Sequence, residues 1–482
     1  MEASRRKHLG AYYTPNVVVD SLVSWAVTSP KDRLLDPSCG DGRFLVVHPN
    51  SVGVEHDPVA ANAVHSRAPG SLIHQGDFFS WATHTRERFD CAAGNPPFIR
   101  YQRFTGDIRG AALDVCAKHG ATFTGLTSSW APFLVATASL LKRGGRMAFV
   151  VPAEIGHAPY SAPLLRYLLA NFSKVQIVAV QDKLFPELSE DCWLMSCTGF
   201  GGSSSSIALT EMEQFTFMPR PPRSSRTVSA AAWEASGCRL RQFLMPPAAL
   251  ELYRHLAGKA QRFSEIARIG IGYVTGANDF FHLRPSVAEK FAIPERYLQP
   301  AVRNGRDLAS GAIKQATVRK WHEEDRPQFL LRLSGDDKLP SSVRRYLDSE
   351  LGQQAREAYK CRNRSPWYAV PDVRVPDAFL SYMCGTSPLL AGNPAHCVGT
   401  NSVHVVRLRA GVKFADVQSN WDDPLTQLSC EAEGHPLGGG MLKLEPGEAG
   451  RVLIPQPASY DRRDAKTLMD AVGIMRRWRH YG

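Results

Sequence analysis

The sequence predicts an α/β protein, with a mainly parallel, Rossmann-like sheet in its first 200 residues and a mixed α/β domain after it. Three observations predict this. Short apolar runs alternate with helix-like segments through residues 30–200, the pattern of strands joined by crossover helices. Several runs end in an acid or amide, as in Leu34-Leu35-Asp36, Val52-Gly53-Val54-Glu55 and Ala92-Ala93-Gly94-Asn95, and an open parallel sheet binds ligands at that end of its strands. The pattern then breaks at two turn-rich stretches, GGSSSS at 201–206 and MPRPPRSSR at 218–226.

In chain order, an apolar helix is expected over 17–27, with Thr14 before Pro15 as its start signal. Strands are expected over 33–36, 51–55, 71–75, 89–94, 146–151, 174–180 and 191–200. Helices fall between them over 42–47, 58–67, 128–141 and 162–171. The direction of the last strand is open, because the longer loop KLFPELSED precedes it. A first domain is expected over 1–205, a linker over 206–235 and a second domain over 236–482. The segment SSIALT inside the linker reads as a strand that either side could own. Farther on, helices are expected over 247–256 and 341–360, and no internal repeat is visible.

Composition narrows the class. The chain of 482 residues is 44% hydrophobic and 21% charged, values that suit folded domains with sizeable cores. No apolar run is long enough to span a bilayer, and the basic start lacks the apolar segment of a secretory signal, so a cytoplasmic protein is expected. The ten cysteines form no CxxC pair and no zinc-ligand spacing, which points to free thiols and no metal. Net charge is +11 and uneven. Residues 1–200 hold 19 basic and 17 acidic residues, whereas the remainder holds 38 and 29. A basic second half implies a polyanionic partner.

The first strand runs into Asp36-Pro37-Ser38-Cys39-Gly40-Asp41-Gly42-Arg43-Phe44. Gly40 and Gly42 carry no Cβ, so a ligand can approach the backbone there, and Ser38 lies in the same turn. Glu55 ends the second strand, nineteen residues after Asp36, where a carboxylate can accept from both hydroxyls of a ribose. The third strand ends in Gln75-Gly76-Asp77-Phe78, so Asp77 can accept from an adenine amino group while Phe78 packs on the ring. Neither a phosphate-loop motif nor a full GxGxxG is present, which disfavours the common nucleotide sites. Upstream, Tyr13 and Thr14 in GAYYTP can hold a carboxylate of the same ligand.

The fourth strand runs into Gly94-Asn95-Pro96-Pro97-Phe98. Two prolines end the strand and stiffen the turn. The Asn95 carboxamide oxygen and the Pro96 carbonyl can together accept both hydrogens of one NH2 group. An adenine N6 lone pair is delocalised into the ring, so two such acceptors localise it and let the nitrogen attack an activated methyl in line. Phe98 offers a stacking face. A base within a duplex must be flipped out to reach such a turn.

The order GAYYTP, DPSCGDGRF, GVEHDP, GDFF, GNPPF resembles the gamma-class N6-adenine DNA methyltransferases. The resemblance covers about residues 8–200 and implies a seven-stranded methyltransferase sheet, S-adenosyl-L-methionine as cofactor, duplex DNA as substrate and a C-terminal target recognition domain. Phe98 stands where the family usually has tyrosine, keeping the ring and losing the hydroxyl. The resemblance also assigns Phe185, in Lys183-Leu184-Phe185-Pro186, to the other face of the flipped base. It matches segments 270–281, 363–368, 400–402 and 438–443 to the recognition domain, where Arg303, Arg306, Arg362 and Arg364 are candidate DNA contacts. A monomer is expected, and a separately encoded restriction endonuclease as genetic partner. Pro371-Asp372 is a lone nuclease-like dipeptide with no ExK at suitable spacing. Methylation of an RNA base or of a protein glutamine amine stands as the alternative, and a DNA-binding scaffold with a vestigial pocket as the non-enzymatic one.

Overall fold

A computed structural model describes residues 14–188, 190–335, 338–456 and 459–481. The chain divides into two compact units, Met1–Leu244 and Met245–Gly482.

The first unit is built on one twisted sheet. Its described part opens with α1 (Asn16–Ala26), whose residues Val18, Leu22 and Trp25 pack into a cluster with Val150, Val178 and Leu194 of the sheet. There follow β1 (Leu34–Asp36), α2 (Arg43–Val47), β2 (Ser51–Glu55), α3 (Pro58–Arg67), β3 (Leu72–Gln75), α4 (Phe78–His84), β4 (Phe89–Gly94), α5 (Gly106–Lys118), α6 (Trp130–Ser139), β5 (Leu141–Pro152), α7 (Ser161–Asn171), β6 (Phe172–Val180), β7 (Cys192–Phe200), β8 (Ser206–Met212), β9 (Arg226–Ser229) and α8 (Ala230–Ala235). The strand order is β3-β2-β1-β4-β5-β7-β6-β8-β9. Strands β1 to β5 run parallel, and β7 runs antiparallel between β5 and β6. That settles its direction: the loop before it reverses the chain and returns β7 as a hairpin partner of β6.

The sheet has nine strands rather than the expected seven. The surplus comes from the stretch expected to be a linker. Residues 206–212 pair in parallel with β6 as β8, and β9 pairs antiparallel with β8. Ile207 and Leu209 are buried against the sheet, and burying them outweighs the turn-forming serines before them. Several helices also escaped the sequence reading, among them α4, α5 and Arg462–Arg477. Asp77 ends the third strand but its side chain caps α4, accepting from Ser80 N at 2.8 Å. The buried stripe of α5, Ala112, Val115 and Cys116, is short and made of small residues. Helix Arg462–Arg477, by contrast, carries a plain pattern of buried Leu468, Ala471, Val472 and Met475.

The second unit holds two four-stranded sheets. One orders its strands Ala267–Ile271, Val403–Leu408, Ala378–Ser381, Leu390–Gly392; the other is His282–Leu283, Phe329–Leu331, Leu298–Val302, Val398–Gly399. The single helix expected over 341–360 is three: Ser341–Leu347, Glu350–Glu357 and Tyr359–Arg362. Ser349 leaves the helical conformation and caps the second of them by accepting from Gly352 N at 3.2 Å. Near the C-terminus, fully buried Arg479 is bound by Glu431 at 2.9 and 2.7 Å, an ion pair whose loss on one side would strand a charge in the core. No helix of the described residues is long and apolar enough to cross a membrane.

Candidate active site

The carboxyl ends of β1, β2, β3 and β4 surround one cavity of about 570 Å³. Thr14, Asp36, Ser38, Gly40, Glu55, Asp77, Phe78 and Asn95 all line it. Neighbouring parallel strands with turns at the same end bring together residues 81 positions apart.

The Gly40 turn is fixed by its own acid. Glu55 accepts from Gly40 N at 2.8 Å through one oxygen and from Asp57 N at 2.7 Å through the other. Each carboxylate oxygen keeps a further lone pair for a ligand hydroxyl. The two glycines differ in role. Gly40 has φ +53°, and a Cβ added there would meet nothing, so it opens onto the cavity. Gly42 has φ +84° and is absent from the lining; a Cβ there would strike Val64 Cγ1 at 2.8 Å. It serves the packing of α2 against α3 rather than the ligand.

Asp36 is buried, with one oxygen accepting from Ser38 N at 3.2 Å and the other without a partner. Burial, with the nearby acids Glu55 and Asp41 adding to it, pushes its carboxyl up to about 8 despite the opposing Ser38 hydrogen bond. Gly94 makes this proximity possible, since a Cβ there would lie 2.8 Å from an Asp36 oxygen. A buried acid of this kind favours a cationic ligand.

Asn95 is oriented from the far end of the unit. Its amide nitrogen donates to Thr14 Oγ at 3.2 Å, while its carbonyl oxygen is buried without a partner. The Pro96 carbonyl receives no hydrogen bond from the described residues. The backbone of the turn is held by Ser129, just before α6. Ser129 Oγ donates to the Pro97 carbonyl and accepts from Ile99 N at 3.0 Å, and Ser129 N donates to the Ile99 carbonyl at 2.9 Å. Nothing in TSSW marked Ser129 beforehand. Ser38 Oγ donates to the main-chain carbonyl of Asn95 at 3.3 Å.

The aromatic residues split. Phe78 is buried in the cavity wall and stacks on Phe133 with ring centres 5.0 Å apart. Pro96, Phe98 and Phe185 do not line the cavity. Phe98 packs against the cluster that contains Phe185, Leu184 and Leu188, so the two rings assigned to a flipped base share one apolar cluster. Tyr13 lies outside the described residues. Asp77 lines the cavity with one oxygen committed to its helix cap.

In the second unit three of the four expected recognition segments, 270–281, 363–368 and 400–402, meet. Tyr273 N donates to the Gly399 carbonyl at 3.0 Å, and Asn401 N to the Tyr273 carbonyl at 3.1 Å. Trp367 packs 5.5 Å from Phe280. Two of the candidate DNA contacts spend hydrogen bonds on the fold: Arg303 donates to the Pro327 carbonyl at 2.8 Å and Arg364 to the Val274 carbonyl at 2.6 Å. Arg362 lies over Tyr359, and Arg306 is exposed.

The geometry agrees with comparison to known proteins. The family model described as Eco57I restriction-modification methylase matches residues 62–185, and that of the C-terminal domain of type II methyltransferase M.Eco57I matches 239–477. Type II methyltransferase M.XamI of Xanthomonas campestris pv. amaranthicola is 24% identical over 475 residues, covering 94% of this chain and 86% of its own length. M.AccI of Acinetobacter calcoaceticus is 16% identical over 492 residues, covering 96% and 88%. The fold is also similar to that of the type IIL restriction-modification enzyme MmeI solved in complex with DNA, with TM-score 0.54 at 13% identity over 97% of this chain and 71% of that one. Matched in both units and along nearly the full length of two such relatives, the chain belongs to the Eco57I family of gamma-class, S-adenosylmethionine-dependent type II methyltransferases.

Proposed function

We propose that the chain transfers the methyl group of S-adenosylmethionine to the N6 amine of an adenine flipped out of duplex DNA. The first unit catalyses, the second reads the target, and the enzyme acts as a cytoplasmic monomer that protects sites from a separately encoded endonuclease. The observation that carries this reading is the pair of unsatisfied acceptors in one stiff turn, the buried Asn95 carboxamide oxygen and the Pro96 carbonyl. Leaving a buried acceptor unpaired costs about 1–3 kcal/mol, so such a pair suits a ligand that brings two hydrogens.

The bound cofactor supplies a methyl group already activated on a sulfonium. The chain's own residues do the rest. Glu55 holds the Gly40 turn and accepts ribose hydroxyls, Asp36 faces the cationic end, and Asp77 and Phe78 take the adenine ring of the donor. Thr14 aims the Asn95 oxygen, and Ser129 keeps the turn from yielding. Asn95 and Pro96 then draw the amine hydrogens out of the base plane and localise the lone pair on N6. Orientation of this sort is worth about 7–11 kcal/mol in favourable cases.

The test is transfer of a labelled methyl group to duplex DNA, RNA and protein in parallel, followed by digestion to nucleosides. N6-methyladenosine of the deoxy series is the expected product. Predominant labelling of RNA or protein, or a label on cytosine, would reject the reading.

A further inference from the structure

In the second unit, the strand Ala267–Ile271 forms the edge of its sheet and pairs antiparallel with Val403–Leu408. The register sets Arg268 directly opposite Arg407. Like charges facing each other across a strand pair destabilise a sheet. A third arginine, Arg374, joins them around a pocket of about 270 Å³ whose lining includes Gly270, Gly272 and a single acid, Asp372. Among the described residues none of the three guanidinium groups has an ion-pair or hydrogen-bond partner. Other arginines of this unit are used by the fold: Arg409 donates to the Ser264 carbonyl at 2.8 Å, Arg326 to Asp307 at 2.8 Å and Arg479 to Glu431 at 2.7 Å.

Of the pocket's three glycines, Gly272 and Gly399 are required by the packing around them, Gly399 because a Cβ there would strike the Phe379 ring at 2.7 Å, and Gly270 is not. Gly272 is dictated by the fold, since a Cβ would fall 2.1 Å from the Gly399 carbonyl oxygen. Gly270 is not: its φ is ordinary, and a Cβ would make only a 3.8 Å contact with Val405. A side chain at 270 would fit the sheet and fill the pocket floor. Both the unopposed charge and the missing side chain therefore cost the fold something and leave a concave, cationic surface.

We propose that Arg268, Arg374 and Arg407 around Gly270 form a clamp for the phosphate backbone of the target duplex, an inference that rests on the DNA reading above. Guanidinium forks match phosphate oxygens two by two, and contacts to phosphate set register and orientation rather than sequence. The sheet edge keeps its charges unpaired because the ligand supplies the counter-charge.

The test uses the full chain and single Arg268→Ala, Arg374→Ala and Arg407→Ala variants. Duplex affinity is measured by fluorescence anisotropy across a salt series, alongside the thermal midpoint, donor affinity and transfer of a labelled methyl group to the duplex. Each substitution is expected to weaken duplex binding and make the slope of log affinity against log salt shallower by about 1. The midpoint should hold, and Arg407→Ala should raise it by relieving the facing charges, with donor affinity unchanged. Gly270→Val, which alters no charge, should weaken the duplex with little change in midpoint. Unchanged affinity and slope in folded variants would overturn the clamp while leaving the methylation reading intact, because parent activity on duplex is scored in the same experiment. A fall in midpoint that accounts for the lost affinity would assign the arginines to the fold and also overturn it. A parent that binds no duplex would overturn both. An acidic peptide held as tightly as duplex, and lost with the same substitutions, would reassign the surface to a protein partner.

Discussion

The two halves of the active-site region are built to different standards of readiness. Around the donor, the cavity is open and its walls are fixed: Glu55 ties the Gly40 turn from two sides, and Asp36 is lodged at the ends of β1 and β4. On the side proposed for the target base, the Asn95 oxygen is buried without a partner, while Phe98 packs against the cluster that holds Phe185, outside the cavity lining. The proposed donor half resembles a mould, whereas the rings proposed for the base sit in an apolar cluster outside the cavity lining. The contrast is economical. A donor of constant shape can be met by a preformed site, and packing in the cluster keeps Phe185 out of water.

The comparison can be broken at its strongest point first. Asn95→Ala should lower turnover by about 10²–10³-fold or more, as loss of a preorganised polar group in an active site does, while donor affinity stays nearly intact. Residual turnover close to the parent's in single-turnover assays would remove Asn95 from the chemistry. Glu55→Ala should weaken donor binding by about ten- to a hundredfold, the worth of hydrogen bonds to a charged group, and calorimetry showing unchanged affinity would exclude it. Phe185→Ala should reduce kcat/KM on duplex by about tenfold through lost stacking, and leave donor affinity alone. Since Phe185 is also buried in the core, its thermal midpoint must be read beside the kinetics.

A smaller effect sharpens the picture of the donor half. With its carboxyl raised to about 8, Asp36 is held protonated by the folded state more than by the unfolded one. Stability therefore falls as pH rises from the ordinary carboxylate range through about 8. Asp36→Asn removes that dependence, so it should raise the thermal midpoint more at pH 9 than at pH 5. Equal shifts at both would contradict a buried, raised acid at position 36.

Much of this site could be read from the sequence because it lies at strand ends. Asp36, Glu55, Gly76-Asp77 and Asn95 each close an apolar run, and a parallel sheet can gather such residues at only one edge. The order and direction of β1 to β5 follow from the same alternation. Elsewhere the signal was absent or ambiguous. Ser129 is one serine in a pair before a tryptophan, and its clamp on the Asn-Pro-Pro turn exists only in three dimensions. Gly42 looks like a ligand glycine because Val64, which requires it, is 22 positions away. Strand β8 was legible as a strand in SSIALT but not as part of this sheet, because the serines beside it look like a linker, and the break at Ser349 is hidden by the helical composition around it. The Arg268–Arg407 pairing depends on register between strands more than a hundred residues apart, which composition cannot supply.

The stitching of α1 to a distant part of the chain has one more consequence. Ser21 Oγ accepts from Met218 N at 3.0 Å, and Trp25 Nε1 donates to the Met218 carbonyl at 2.8 Å, so the first described helix lies beside a segment almost 200 residues later. The polypeptide could thus be opened in the exposed turn at Pro30-Lys31 and α1 rejoined downstream of Met218 without moving Thr14 from Asn95. Cuts and insertions of this kind are tolerated best in exposed turns. The order in which the motifs are written along such a gene is then free to vary, while the place each one occupies around the amine is not.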